Sequence, residues 1–144
     1  MNTILLVILA TVSGVAITLQ GQFMGVMDLR LGTRESIFIT YGSGGLIASL
    51  IMLVGRWENL KAYYQVPWYA FSAGLLGLVI VGTIGYVVPR LGVVKGFMLI
   101  VASQFIVAAL IDHFGIFGAV TRPIDIKHLV GLVFMVAGVW LVVK

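Results

Sequence analysis

Five long stretches without a charged side chain constrain this chain more than any other feature of its sequence. They cover residues 1–27, 36–55, 62–89, 96–111 and 128–143. A helix rises 1.5 Å per residue and the hydrocarbon core of a bilayer is about 30 Å thick, so each stretch is long enough, or nearly so, to cross it. The apolar residues run continuously rather than alternating, which excludes an outer-membrane β-barrel. The pattern predicts an all-α integral membrane protein with five transmembrane helices.

The composition excludes a soluble globule. Of the 144 residues, 61% are hydrophobic and 10% are charged, whereas a soluble domain has about 25% charged residues. We expect one membrane domain over residues 1–144, with spans at about 4–26, 36–54, 67–87, 93–111 and 127–143. Pro67 suits the first turn of the third span, and Pro89 should end that span. Aromatic residues expected at the membrane interface cluster around the second loop: Trp57, Tyr63, Tyr64, Trp68 and Tyr69.

The basic residues are divided almost evenly between the two sides of the predicted membrane. The side of the N-terminus receives four: Arg56, Lys61, Arg122 and Lys127. The opposite side receives five: Arg30, Arg34, Arg90, Lys95 and Lys144. Orientation follows the Lys and Arg bias of short loops, so the balance predicts insertion in both orientations and an antiparallel dimer. The alternative is a single orientation that a partner protein imposes. The basic residues flank spans, so they do not indicate nucleic-acid binding.

Small residues follow one face of the first span. Thr11, Gly14, Thr18, Gly21 and Gly25 are spaced three and four residues apart. Lipid provides little hydrophobic force between helices, so close packing depends on such residues. We interpret most of the glycines as helix-packing positions.

Polar side chains inside the spans are the candidate substrate-binding residues, because polar groups are costly in lipid. The candidates are Gln20, Gln22, Ser43, Thr83, Tyr86, Ser103 and Gln104. Gln20 and Gln22 point about 200° apart on a helix, and we favour Gln20 as the inward one. An interhelical hydrogen bond is the alternative role for Gln20 and Gln104. The hydroxyls can instead bond to a carbonyl of the preceding turn.

The titratable residues at the end of the fourth span are the other candidates. Asp112 is expected to pair with Arg122 or Lys127 across the following loop. A proton relay through Asp112 and His113 is the alternative, because histidine titrates near neutral pH. The chain has no cysteine and two histidines, and their spacing does not indicate a metal site. No catalytic or cofactor motif is present, so we expect neither an enzyme nor a bound cofactor.

Several segments together resemble one family. These are Val88-Pro89-Arg90-Leu91-Gly92, Ser103-Gln104 and Ile111-Asp112-His113-Phe114-Gly115. The chain is similar along nearly its whole length to the YdcZ-type family of bacterial inner-membrane proteins, within the drug/metabolite transporter superfamily. The resemblance implies a five-span protein that inserts both ways or pairs with an oppositely oriented paralogue. It also implies a transport pathway between the two opposed subunits.

One departure from the family and one contrast with other exporters of its superfamily bear on the substrate. Family members often carry an asparagine four residues after the glutamine that matches Gln20, and here that position is Met24. Either this chain lacks one polar contact, which a heterodimeric partner keeps, or Gln22 is the matching glutamine. The superfamily's small multidrug exporters use a carboxylate in the first span, and the predicted span here has none. An amide-lined pocket suits a neutral, amphipathic or anionic substrate equally.

These observations predict a small-molecule transporter that works by alternating access as an antiparallel dimer in the bacterial inner membrane. Its partners are the bilayer, the substrate and a second copy or close paralogue in the opposite orientation. A dual-topology ion channel and a non-transporting subunit of a heterodimeric transporter are the alternatives.

Overall fold

The computed structural model describes residues 3–55 and 63–144. Its long helices are α1 (Thr3–Leu31), α2 (Thr33–Val54), α3 (Ala73–Leu91), α4 (Val93–Phe114) and α5 (Ile126–Val143), and a 3-10 helix over Trp68–Ser72 leads into α3. All five are long and apolar enough to cross a membrane. The described residues contain no strand, so the predicted all-helical class with five apolar helices is confirmed. Arg56, Trp57 and Lys61 lie outside the described residues.

Pro89 does not end the third span, and that prediction is wrong. Helix α3 continues through Pro89 to Leu91. The ring of Pro89 packs against α1, since a Cβ added to Gly25 would lie 3.1 Å from Pro89 Cδ. A proline this close to the end removes only one hydrogen bond of the helix. The last turn of α3 is therefore continuous, and its proline packs against α1.

Two one-residue connections separate consecutive helices. Gly32 lies between α1 and α2 with φ +100°, and Gly92 lies between α3 and α4 with φ +85°. Each follows an Arg-Leu pair. A positive φ of this size is open to glycine and strained for other residues, so each of these connections depends on glycine at its position.

The chain divides into two compact units, Met1–Arg90 and Leu91–Lys144. In the first unit α1 and α2 form an antiparallel hairpin, in which Ser36 Oγ donates a hydrogen bond to the Met24 carbonyl at 3.2 Å. Helix α3 runs parallel to α1, because Gly25 contacts Pro89 and Asp28 pairs with Arg90. Met24, Val88 and Ser36 are buried at the centre of this junction.

The second unit is an antiparallel hairpin of α4 and α5. At one end Lys95 Nζ donates to the Val143 carbonyl at 3.3 Å. At the other end the Arg122 N–H donates to the Asp112 carbonyl at 2.7 Å. The connection begins with Gly115, whose φ is +63°.

Eight glycines within the helices have two kinds of surroundings. In the first unit, Gly25, Gly77, Gly82 and Gly85 lie so close to neighbouring side chains that an added Cβ would be in tight contact. Cβ atoms added at Gly14, Gly44, Gly131 and Gly138 would meet nothing within 4 Å. The first group packs the described helices against each other, whereas the second group leaves helix faces open.

Candidate functional site

Gln20 is an exposed residue of α1 and one of the predicted polar residues that line a cavity. It lines a cavity of about 320 Å³ between α1 and α2. It also lines a second cavity of about 370 Å³, which Val81 of α3 borders. Gln22, two residues further, lines neither of these two cavities. Both amides are exposed in the single subunit, so the choice of Gln20 as the inward one stays a prediction.

Thr40 on α2 lines both cavities together with Gln20. Its Oγ1 is buried and has no hydrogen-bond partner among the described residues. Other threonines in the chain bond to the preceding turn, as Thr11 does with Val7 O at 2.9 Å and Thr18 with Gly14 O at 3.0 Å. Thr40 was not among the residues predicted from the sequence. The sequence could have indicated Thr40, because it lies three residues before Ser43 and therefore on the same face of the helix.

Ser43 lines the first cavity with Gln20. Its hydroxyl donates to the carbonyls of Ile39 at 2.8 Å and Thr40 at 3.2 Å, so its proton is used within α2. Ser103 likewise donates to the Ile100 carbonyl at 2.7 Å. Thr83 lies exposed on α3. Among these predicted hydroxyls, Ser43 is the one that shares a cavity with Gln20.

Tyr86 belongs to a different cluster from Gln20. The Arg90 guanidinium stacks on its ring at 3.6 Å from the centroid. Arg90 Nη1 also donates to the Tyr86 carbonyl at 2.6 Å. The ring therefore supports Arg90 in this structure.

An ion pair between Asp28 and Arg90 joins the ends of α1 and α3. Arg90 Nη1 lies 2.8 Å from Asp28 Oδ2, and the Asp28 side chain is 1% exposed. The Thr33 hydroxyl donates to the other carboxylate oxygen at 2.5 Å. The predicted first span ended at residue 26, which left Asp28 outside it. Helix α1 extends to Leu31 and includes this carboxylate, so the helix carries an acid that the hydropathy pattern did not place there.

The second unit contains the remaining predicted site residues. Gln104 lies exposed on α4. Asp112 lines a cavity of about 540 Å³ between α4 and α5 with Lys127 and His128. Among the described residues the Asp112 carboxylate forms no ion pair, and the expected pairing with Arg122 or Lys127 is wrong. Its backbone carbonyl instead accepts the Arg122 N–H, so a backbone hydrogen bond rather than an ion pair closes the connection between α4 and α5.

His113 and Asp125 organise the connection between α4 and α5. The N–H of Ile124 donates to His113 Nδ1 at 3.1 Å, so this nitrogen acts as an acceptor. Asp125 precedes α5 and accepts the His128 N–H at 2.7 Å, which is an N-cap. That hydrogen bond holds the pKa of Asp125 below its ordinary value of 3.8. Both contacts are structural.

The described residues contain no group of three or more histidine, aspartate or glutamate side chains placed to hold a metal ion. Two polar features of the described residues lie at cavities. One is the uncharged groove around Gln20 and Thr40, and the other is the cavity beside Asp112.

A family model described as "Putative inner membrane exporter, YdcZ" matches residues 5–141. The match covers nearly the whole chain. This chain belongs to that family. No curated protein and no solved structure matches it.

Membership in this family confirms the resemblance seen in the sequence. The protein is a multi-pass inner-membrane protein, and its family is one of transport proteins rather than enzymes.

Proposed function

We propose that this chain moves small molecules across the inner membrane by alternating access, as an antiparallel dimer of two copies. The observation that carries the proposal is the match of residues 5–141 to a family of inner-membrane exporters. The family description favours export as the direction.

The open glycines support a second copy. Gly14, Gly44, Gly131 and Gly138 have no neighbour within 4 Å of an added Cβ among the described residues. In lipid, helices associate where small residues allow their backbones to approach. A copy inserted in the opposite orientation would produce the inverted symmetry that many transporters build within one chain. The nearly even distribution of basic residues agrees with such insertion.

The amides support a polar binding site within the spans. Gln20 lies inside α1 and lines two cavities. Gln104 lies inside α4 and is exposed. In the proposed dimer both orient the substrate, and Tyr86 supplies an aromatic contact beside Arg90. An intramembrane amide without a charged partner can bind a ligand at little desolvation cost compared with a carboxylate.

Counterflow in proteoliposomes tests the mechanism. The vesicles are loaded with one of a panel of neutral, anionic or cationic aromatic compounds, and uptake of the labelled counterpart is followed. Alternating access gives saturable uptake that the unlabelled compound accelerates from inside, because each turnover returns a loaded carrier. An ion channel gives uptake without this acceleration. A non-transporting subunit gives no uptake above empty vesicles.

Gln104→Leu separates binding from assembly. We expect this variant to lose uptake and to keep the dimer, measured as subunit number in nanodiscs. Dissociation of the dimer would instead identify Gln104 as an interhelical contact.

A further inference from the structure

Thr40 is shared by the linings of two cavities of the first unit, and its hydroxyl is buried beside them. Both cavities are lined by Gln20 and Thr40. The Thr40 Oγ1 is buried without a partner among the described residues. A buried hydroxyl without a hydrogen bond costs about 1–3 kcal/mol. A group retained at that cost is a candidate for contact with a ligand.

The two side chains have complementary hydrogen-bonding capacities. The Gln20 amide has one carbonyl acceptor and two N–H donors, and the Thr40 hydroxyl is both a donor and an acceptor. Ser43 adds an acceptor, since its proton is already bonded to carbonyls of α2. A ligand that carries a donor and an acceptor close together would satisfy this set. A carboxamide has that arrangement.

The described residues that line the two cavities include no acidic or basic side chain. A charged ligand in these cavities would lack an opposite charge, and an unpaired charge in a low-dielectric region is costly. The rest of the first cavity is apolar, with Phe23, Met24 and Met27 among its lining residues. Methionine side chains adapt to ligands of different shape. The lining therefore selects an uncharged polar group on an apolar body.

We propose that Gln20 and Thr40 form a binding site for uncharged amphipathic molecules that carry a carboxamide or a similar donor–acceptor group. Thr40 determines specificity in this site. The inference rests on the proposed transport function, because it names the substrate class, but binding is measured separately from transport. A cavity of about 320 Å³ lies within the size range of small-molecule sites.

Binding of three probes of similar shape tests the charge selection. Benzamide, benzoate and benzylammonium are titrated against the full chain in nanodiscs, with binding to empty nanodiscs subtracted. We expect saturable binding of benzamide, and binding of the two charged probes at least about tenfold weaker. Equal affinity for all three probes, or no saturable binding of benzamide, overturns the proposal.

Variants of Thr40 test the role of its hydroxyl. Thr40→Val keeps the side-chain shape and removes the hydroxyl, so we expect about tenfold weaker benzamide binding. Thr40→Ser keeps the hydroxyl and should retain the affinity of the wild type. Thr11→Val is the matched control, because its hydroxyl bonds within α1, and its affinity should not change. Unchanged affinity in Thr40→Val overturns the assignment.

Measuring dimer assembly distinguishes a ligand site from a contact between subunits. Measuring counterflow distinguishes failure of the binding site from failure of the proposed transport function. If Thr40→Val weakens the dimer while benzamide binding by the remaining dimer is unchanged, the groove holds a second copy and the proposal fails. If benzamide binds as expected but shows no counterflow, the site stands and the transport function fails. If charged compounds show counterflow that Thr40→Val does not alter, transport stands and this site does not carry it.

Discussion

At the scale of single residues, the Asp28–Arg90 pair is the charged contact that links two spans of the first unit. Asp28 is buried and receives both the Thr33 hydroxyl and Arg90 Nη1. Arg90 is 44% exposed, so solvent or headgroups screen part of the attraction. The main energetic consequence lies with the carboxylate, because a buried charge that loses its partner is costly.

Removing both partners of this pair should therefore cost less than the sum of removing each alone. We expect Asp28→Asn to lower the free energy of unfolding by about 1–3 kcal/mol, and Arg90→Gln should also destabilise the fold. The double variant should lose less than the two single variants together. Unfolding in mixed micelles of increasing denaturing detergent measures all four proteins. Additive losses would show that the pair does not stabilise the fold.

Asp125 makes stability at the start of α5 depend on pH. Its carboxylate accepts the His128 N–H, and this bond holds the pKa of Asp125 below 3.8 in the folded state. A carboxyl with a lowered pKa stabilises the fold above its unfolded pKa, and this contribution disappears as the pH falls through the folded pKa. The relevant window therefore lies below pH 3.8.

Asp125→Ala should lower the melting temperature at neutral pH because it removes the N-cap. The difference from the wild type should shrink as the pH falls below 3.8. Asp125→Asn is the matched control, since asparagine caps a helix without titrating. Thermal melts at several pH values check the result, and a constant difference at all pH values would contradict it.

At the scale of helices, close packing in the first unit depends on glycines that face other side chains. A Cβ at Gly25 would lie 3.1 Å from Pro89 Cδ, and a proline ring cannot move aside without moving α3. At Gly14, in the same helix, a Cβ would meet nothing within 4 Å in the described chain. Both glycines belong to the row of small residues along one face of α1, but only Gly25 has a neighbouring helix against it in the described chain.

Alanine at these two glycines should have opposite effects on the stability of the subunit. We expect Gly25→Ala to cost about 1–2 kcal/mol, because the overpacking exceeds the gain in helix propensity. Gly14→Ala should leave the stability of the subunit unchanged or slightly higher. Unfolding of the monomeric state in micelles compares them. Equal effects would contradict the packing of α1 against α3.

At the scale of the whole molecule, the orientation of the chain in the membrane separates the homodimer from a heterodimer. The chain contains no cysteine, so a single cysteine added after Lys144 introduces one label site and leaves all nine basic residues in place. An impermeant thiol reagent is applied to intact cells and again after permeabilisation. We expect about half of the molecules to react from outside, because the basic residues show little bias. Labelling from one side alone would require an oppositely inserted partner subunit.

Much of the fold was predictable from the sequence because lipid imposes it. A backbone inside a bilayer must satisfy its own hydrogen bonds, so long uncharged stretches become helices. Helix geometry and the cost of a polar group in lipid single out Gln20 as a candidate, and its role in binding stays a prediction. Hydropathy could not locate Asp28, because a buried partner lets a carboxylate extend a span beyond the apolar stretch.

The sequence by itself determined the helical class, the five apolar helices and the family. These depend on hydrogen bonding in lipid and on residues that follow one another along the chain. The tertiary structure alone decided that α3 passes through Pro89, that Asp28 meets Arg90, and that Asp112 does not form the expected ion pair. It also decided that Thr40 shares two cavities with Gln20. Each of these depends on side chains from different helices, whose distances no pattern along one helix contains.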